Sequence, residues 1–226
     1  MNTVFVLVTD YGYFPKAKTT IRDLRTIGQW RGDIVIITID FDVNQNFLDF
    51  YQITQKRFAP IQEKTALCKL LNYSPFLDTI DGREINKPNQ WEKLHVFDPF
   101  FKLWKRVVFL DAGLRVLHNV QESILKLDCK NAFLAPDDGG NYVPLPNPNK
   151  LFKTQVSHTF HKRLQESLES FGGMDILETN YFLNCIWVYD TAILDTCTKQ
   201  EMIDGMSKLL VRETEVAKIT EPRNSI

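Results

Sequence analysis

The sequence predicts an α/β fold in which a mostly parallel central sheet is flanked by helices. Residues 4–8 and 33–39 are almost entirely β-branched and apolar, without the alternation of a half-exposed strand. Such runs are typical of strands that are buried on both faces of a parallel sheet. Between them, residues 19–30 place apolar side chains at helical spacing, with Thr19 or Thr20 as the predicted cap. The order strand, helix, strand is that of a parallel βαβ unit.

The rest of the chain continues this pattern. Short apolar runs predict three further strands: 106–110 (RVVFL), 132–135 and 181–189 (YFLNCIWVY). The residue pattern predicts four further helical segments: 48–72, interrupted by Pro60; 91–101, broken by Pro99; 157–171; and 198–210. A chain of 226 residues with 44% hydrophobic content can bury one full core, so we expect a single domain over residues 1–226.

Composition and charge exclude several classes of protein. The 27 Lys and Arg residues against 28 Asp and Glu leave a formal charge of -1, so there is no global field to hold a nucleic-acid backbone. No stretch approaches the ~18 apolar residues that a membrane span needs. No export signal precedes the first predicted strand, and the four cysteines are isolated. We therefore expect a cytoplasmic protein without a nucleic-acid partner or a membrane span.

Acidic residues follow four of the predicted strands. They are Asp10 after the first, Asp40 and Asp42 after the second, Asp111 after the third, and Asp137 and Asp138 after the fourth. A single Asp at a strand end is usually a cap or turn residue, but in an open α/β sheet ligands bind beyond the carboxyl ends of the strands. Converging carboxylates repel one another unless a cation lies among them, so either a divalent metal binds here or the carboxylates accept hydrogen bonds from a polar ligand. Oxygen ligands favour Mg²⁺ or Mn²⁺ over zinc.

The third predicted strand ends in the turn Asp111-Ala112-Gly113. This segment resembles the strand and metal-binding turn of nucleotide-diphospho-sugar transferases of the GT-A fold, particularly glycosyltransferase family 8 and related viral or uncharacterised proteins. Other segments resemble that family in the same order along the chain: TVFVLVTDYGYFPKAKTTIRDLR, WEKLHVFDPFFKLWKRVVFLDAG, FLAPDD and YFLNCIWVYDTAIL. The resemblance covers most of the chain up to about residue 195 and implies a GT-A, Rossmann-like sheet.

The resemblance also implies an activity. The protein would be a nucleotide-sugar-dependent hexosyltransferase that uses a UDP-sugar, retains the anomeric configuration and is assisted by Mn²⁺ or Mg²⁺. Its acceptor would be a glycan, a protein or a small molecule, and a viral member would act in the host cytoplasm. The nucleotide-binding part would cover about residues 1–115, and the sugar and acceptor part about 116–226. A catalytically degenerate nucleotide-sugar or carbohydrate-binding module stays open as the alternative.

The resemblance implies three groups of site residues. The residues expected to hold the nucleotide part of the donor are Thr9, Asp10, Tyr11, Tyr13, Asp40, Lys93, Ala112 and Gly113. Asp111 is the expected metal ligand, and the expected catalytic residues, which would orient the sugar, are Asp137, Asp138 and Asn184. Gly113 stands where the family has the second Asp of its turn. The metal is therefore held by Asp111 with diphosphate and water, binds weakly, or is not used.

Overall fold

The computed structural model describes residues 2–39, 41–62, 87–136 and 182–204. The chain divides into two compact units. The first consists of Met1–Ile61, Asn89–Ala135 and Asn184–Lys199, and the second of Gln62–Pro88, Pro136–Leu183 and Gln200–Ile226. The first unit contains the sheet, whereas most of the second lies outside the described residues. The predicted single domain with parts meeting near residue 115 stays a prediction.

The described strands form one six-stranded sheet with the order β3-β2-β1-β4-β6-β5. Their bounds are Thr3–Thr9 (β1), Asp33–Thr38 (β2), Ile53–Arg57 (β3), Arg106–Leu110 (β4), Phe133–Leu134 (β5) and Ile186–Asp190 (β6). β1 pairs in parallel with β2 and β4, and β2 with β3, whereas β6 runs antiparallel to both β4 and β5. The predicted α/β class with a mostly parallel sheet is confirmed.

Helices and shorter 3₁₀ segments connect these strands. The α-helices are Phe14–Thr26 (α1) and Gln45–Tyr51 (α2), and residues 199–204 are also helical, within the predicted helix 198–210. The 3₁₀ segments are Lys87–Phe97, Pro99–Leu103, Val120–Glu122, Ile124–Lys126 and Thr191–Asp195. None of the helices in the described part of the chain is long and apolar enough to cross a membrane.

The core of the first unit lies on both sides of β1 and β4. Every residue of these two strands is buried, as their continuous apolar sequences predict. Ile21 and Leu24 of α1 are fully buried in the same cluster as Phe5 and Leu7 of β1. Burial of each such side chain stabilises the fold by roughly 1.5–3 kcal/mol relative to leaving it in water. The central strands therefore anchor the turns that follow them.

Helix α1 begins earlier than its hydrophobic spacing predicts. The prediction of a Thr19 or Thr20 cap is wrong, because the helix starts at Phe14, with Tyr13 as the N-cap residue and no capping hydrogen bond from its side chain. Pro15 occupies the first turn, where its missing N–H costs no helix hydrogen bond. Thr20 is thus an interior residue of α1, and its side chain is fully buried.

The predicted helix over residues 48–72 is also wrong in part. Helix α2 ends at Tyr51, Gln52 adopts a left-handed conformation with φ 51°, and strand β3 follows. The sequence of β3 (ITQKR) is too polar to predict a strand, and its parallel pairing with β2 decides its conformation. The last strand likewise begins at Ile186 rather than residue 181.

Arg25 fastens α1 to the amino-terminal edge of the sheet. Its guanidinium donates hydrogen bonds to four backbone carbonyls, those of Trp30, Gly32, Tyr51 and Gln52, at 2.8–3.0 Å. Burial, together with the nearby Arg31, lowers the pKa of Arg25 below its ordinary value. The four carbonyls are the partners that keep this buried charge in place.

Candidate functional site

The turns that follow β1, β2 and β4 meet at one edge of the sheet. These strands are parallel neighbours, so Thr9, Thr38 and Leu110 all end on that side. β6 is antiparallel to β4, with Ile186 opposite Leu110, and therefore begins at this edge. The backbone N–H of Asp111 donates to the carbonyl of Cys185 at 2.7 Å. Asn184, next to Cys185, consequently lies close to the turn that contains Asp111.

Lys93 and Asp111 form the central ion pair of this edge. The ammonium Nζ lies 2.9 Å from Oδ2 of Asp111, and the two side chains are 10% and 32% exposed. Lys93 belongs to the 3₁₀ segment Lys87–Phe97, and its Nζ also lies 5.7 Å from the centroid of the Phe109 ring. A hydrogen bond between charged groups of this length is stronger than a neutral one. The structure thus joins two of the predicted site residues.

Helix α1 holds the turn after β4 through Thr20. The N–H of Gly113 donates to the Thr20 hydroxyl oxygen at 3.1 Å, and that hydroxyl donates to the carbonyl of Leu114 at 2.8 Å. Gly113 has φ 101°, a backbone conformation that L side chains rarely adopt. A Cβ added there would also lie 3.4 Å from the side chain of Lys16. The turn is therefore built for glycine and lies against α1.

The turn after β1 presents two aromatic rings. Oδ1 of Asp10 accepts a hydrogen bond from the N–H of Tyr13 at 2.8 Å and so shapes this turn. Tyr11 is 71% exposed and Tyr13 38% exposed, although both are large aromatic residues. The Tyr11 ring packs edge-on against Phe41, with the centroids 5.7 Å apart. Exposed rings held in this way offer a flat surface on which a base can stack.

Two other predicted residues of this edge are less accessible. Thr9 is 3% exposed, and its hydroxyl donates to the carbonyl of Asp10 at 2.9 Å. Ala112 is half-buried in the turn after β4. Contact between ligand and protein at these two positions would involve the backbone more than the side chain. Their predicted role in holding the nucleotide stays a prediction.

Some predicted site residues lie outside the described part of the chain. They are Asp40, Asp137 and Asp138. Asp42, the next acidic residue after Asp40, binds Arg57 through both carboxylate oxygens at 3.0 Å. The carboxylate of Asp42, in the loop after β2, is thus paired with the last residue of β3.

The described residues do not fit a divalent metal at the turn after β4. Asp111 supplies one carboxylate, which already binds the ammonium of Lys93, and Gly113 supplies none. Within residues 2–39, 41–62, 87–136 and 182–204, no group of three or more His, Cys, Asp or Glu residues is placed to hold a metal. A cation on Asp111 would also be repelled by the adjacent ammonium. The metal-binding role of Asp111 therefore stays a prediction.

Sequence reasoning missed Phe41 and Lys16 as residues of this edge. Phe41 supports Tyr11 and also packs against Phe14, with ring centroids 5.0 Å apart. The signal in the sequence is an aromatic residue between Asp40 and Asp42, in a loop where solvent exposure is expected. Lys16 gives no such signal, because only the packing of α1 against Gly113 brings it to the turn.

No known protein-family model matches the sequence, and no curated protein matches it. Its backbone does match solved structures. An active-site mutant of LgtC matches with a TM-score of 0.55 and 11% identity, covering 98% of this chain and 79% of that one. The bifunctional glycosyltransferase WbbM matches with a TM-score of 0.54 and 13% identity, covering 93% of this chain and 37% of the WbbM chain. Core-mannan synthase A from Aspergillus fumigatus, in a Mn/GDP form, matches with a TM-score of 0.51 and 11% identity, covering 94% of this chain and 66% of that one.

These matches decide the architecture. The chain has the GT-A fold. It spans about two fifths of the WbbM chain and 62% of the LgtC chain that was solved with donor and acceptor sugar analogs. At identities of 11–13% the likeness concerns the fold alone, and the assignment to glycosyltransferase family 8 stays a prediction. The GT-A sheet explains why Asp10, Asp111 and Asn184, which are far apart in the sequence, share one edge.

Proposed function

We propose that the chain is a glycosyltransferase that moves a hexose from a nucleotide-diphosphate sugar to a hydroxyl group of an acceptor. The observation that carries the proposal is the edge of the GT-A sheet where exposed aromatic rings lie on the same side as a lysine-bound carboxylate. LgtC, which has the same fold, was solved with donor and acceptor sugar analogs. A UDP-sugar is the first donor to test, and a glycan, a protein or a small molecule is the acceptor.

The proposed donor site uses the residues of the first unit according to their chemistry. Tyr11 and Tyr13 offer exposed rings for the base, and Tyr11 is supported from the side by Phe41. Lys93 supplies positive charge for the diphosphate, and Asp111 holds its ammonium in place. Asn184 precedes β6 at the same edge and can donate and accept hydrogen bonds with sugar hydroxyl groups.

The proposed reaction exchanges one bond at the anomeric carbon for another. The bond from this carbon to the diphosphate oxygen breaks, and its electron pair stays on the diphosphate. The acceptor hydroxyl oxygen forms the new bond, and its proton passes to the departing diphosphate. Negative charge grows on the leaving group, so fixed positive charge beside it lowers the barrier. Because the described residues do not fit a divalent metal, no step of this proposal passes through one.

Retention of the anomeric configuration and the roles of Asp137 and Asp138 belong to the same proposal. They rest on the resemblance to family 8 in the segments around Asp111 and FLAPDD. The anomeric proton of the product, followed by NMR during the reaction, reports the configuration directly. Substitution of Asp137 and Asp138 by Asn, one at a time, is expected to lower the rate of transfer more than the affinity for the donor nucleotide.

The test of the proposed function starts with donor binding. UDP-, GDP- and TDP-sugars are screened by thermal shift with and without manganese, and a donor at 100 times its dissociation constant should add about 2.7 kcal/mol of stability. Transfer or hydrolysis of the bound donor is then measured. Asp111→Asn is expected to lower the rate about 100-fold, because Lys93 loses its charged partner.

Asp195→Asn is the matched control, because Asp195 also pairs with a lysine, Lys102, but on an exposed surface. It should leave the rate unchanged. No thermal shift with any donor would refute the proposal. Binding without transfer or hydrolysis would favour the alternative, a nucleotide-sugar-binding module in which Gly113 marks the lost catalytic turn.

A further inference from the structure

The turn after β4 has a lysine at each end. Lys93 binds Asp111, its first residue, through a 2.9 Å ion pair. Lys16, near the start of α1, packs its aliphatic side chain against Gly113, the third residue of the turn. A Cβ added to Gly113 would lie 3.4 Å from this side chain, which is van der Waals contact. The ammonium of Lys16 lies 4.5 Å from the centroid of the exposed Tyr13 ring. Lysine side chains therefore flank the turn from two different elements.

The backbone of the turn also disfavours a second carboxylate. An aspartate at position 113 would need φ 101°, where L side chains are strained. The two hydrogen bonds of Thr20 hold this conformation from α1. Glycine at position 113, where the family that the sequence resembles has its second Asp, and the approach of Lys16 are thus parts of one arrangement.

We propose that Lys16 and Lys93 together take the place of a divalent cation, so that the chain binds a nucleoside diphosphate without metal. This inference rests on the proposed function, since it concerns the diphosphate of the same donor. The formal charges of Lys16, Lys93 and Asp111 add to +1. A divalent cation held by two carboxylates beside one lysine gives the same net charge. The turn after β4 and its two lysines thus offer a diphosphate an equivalent charge without a metal ion.

The geometry suits the two lysines to different parts of this task. Lys93 is buried and held by Asp111, so its ammonium is positioned before the ligand arrives. Lys16 is exposed, and its ammonium lies over Tyr13, one of the rings proposed to stack on the base. Each ammonium has three N–H donors for phosphate oxygens. Together they act on the charge that the leaving diphosphate gains.

The experiment measures UDP and GDP binding to the full chain by isothermal titration calorimetry, once in EDTA and once in excess MnCl₂. We expect UDP or GDP to bind in EDTA, with dissociation constants in the two buffers that agree to within about threefold. Lys16→Met and Lys93→Met are each expected to weaken binding in EDTA about 10-fold to 100-fold, because each removes a charge-assisted hydrogen bond. Lys16→Arg keeps the charge and should recover most of the affinity.

Lys18→Met is the matched control, because Lys18 is an exposed lysine of the same helix whose ammonium lies 5.3 Å from the Phe14 ring. It should bind as the parent does. Near-UV circular dichroism checks the fold of Lys93→Met, and the exposed Lys16 gives a variant that does not depend on the buried ion pair. Binding that requires Mn²⁺, or unchanged affinity in Lys16→Met, would overturn the inference but leave the proposed function standing. Absence of nucleotide binding in both buffers would overturn both.

Discussion

Thr20→Val tests whether α1 holds the turn after β4. Valine has nearly the same shape as threonine but lacks the hydroxyl. The substitution therefore removes both bonds to the turn, the one to the Leu114 carbonyl at 2.8 Å and the acceptor for the Gly113 N–H at 3.1 Å. It also removes a longer bond to the Lys16 carbonyl within α1, at 3.4 Å. Thr20 is fully buried, so little water can replace these partners. The backbone of the turn would be left with one unpaired donor and one unpaired acceptor.

The expected cost follows from these two bonds. Each contributes a net 0.5–1.5 kcal/mol, so Thr20→Val should lower the free energy of unfolding by about 1–3 kcal/mol. In a chain of this size, each kcal/mol lowers the melting temperature by about 2–4 °C. Thr20→Ser keeps the hydroxyl and loses only a methyl group, so it should cost clearly less than Thr20→Val.

Urea unfolding followed by circular dichroism measures the difference, with an unchanged m-value as the sign that only stability has changed. Thr19→Val is the matched control, because Thr19 precedes Thr20 on α1 and its hydroxyl likewise donates to a carbonyl four residues back, that of Pro15, at 3.5 Å. It should change stability by less than about 0.5 kcal/mol. If Thr20→Val and Thr19→Val cost the same, the hydroxyl of Thr20 does not anchor the turn.

Two further predictions concern the frame around the site. Arg25→Met should cost about 3 kcal/mol or more in urea unfolding, because four backbone carbonyls lose their buried donor, whereas Arg22→Met, at an exposed arginine, should cost little. Equal losses of unfolding free energy in Arg25→Met and Arg22→Met would contradict the role of Arg25. Backbone N–H groups of Ala192 and Asn131 lower the pKa of Asp190 below its ordinary 3.8. The stability lost in Asp190→Ala should therefore be constant above that pH and shrink as the pH falls below it; a pH-independent difference would refute this.

The central strands and their acidic turns could be predicted from the sequence. Residues 4–8, 33–39 and 106–110 are apolar almost throughout, which favours burial on both faces, and the structure has β1, β2 and β4 there. Asp10 and Asp111 follow these strands directly, so parallel pairing brings them to one edge. The prediction that Lys93 contacts the turn with Asp111 rested on the family resemblance alone. No local pattern relates these two residues, because they are 18 positions apart.

Other features depend on contacts that no local pattern encodes. Strand β3 is polar and forms because β2 offers a parallel partner. The antiparallel direction of β6 places Asn184 next to Asp111, whereas the predicted strand 181–189 included it as an interior residue. These outcomes depend on which strand lies beside which.

The sequence by itself determined the α/β class, the buried central strands and the carboxylates at their ends, because continuous apolar runs and the residues that follow them are local properties. Only the tertiary structure decided what surrounds Asp111. Three features arise where α1 packs against the turn after β4: the left-handed backbone of Gly113, the two hydrogen bonds between Thr20 and the turn, and the contact of Lys16 with Gly113. Lys16 and Gly113 are 97 positions apart in the chain, so only the folded backbone brings this charge to the turn.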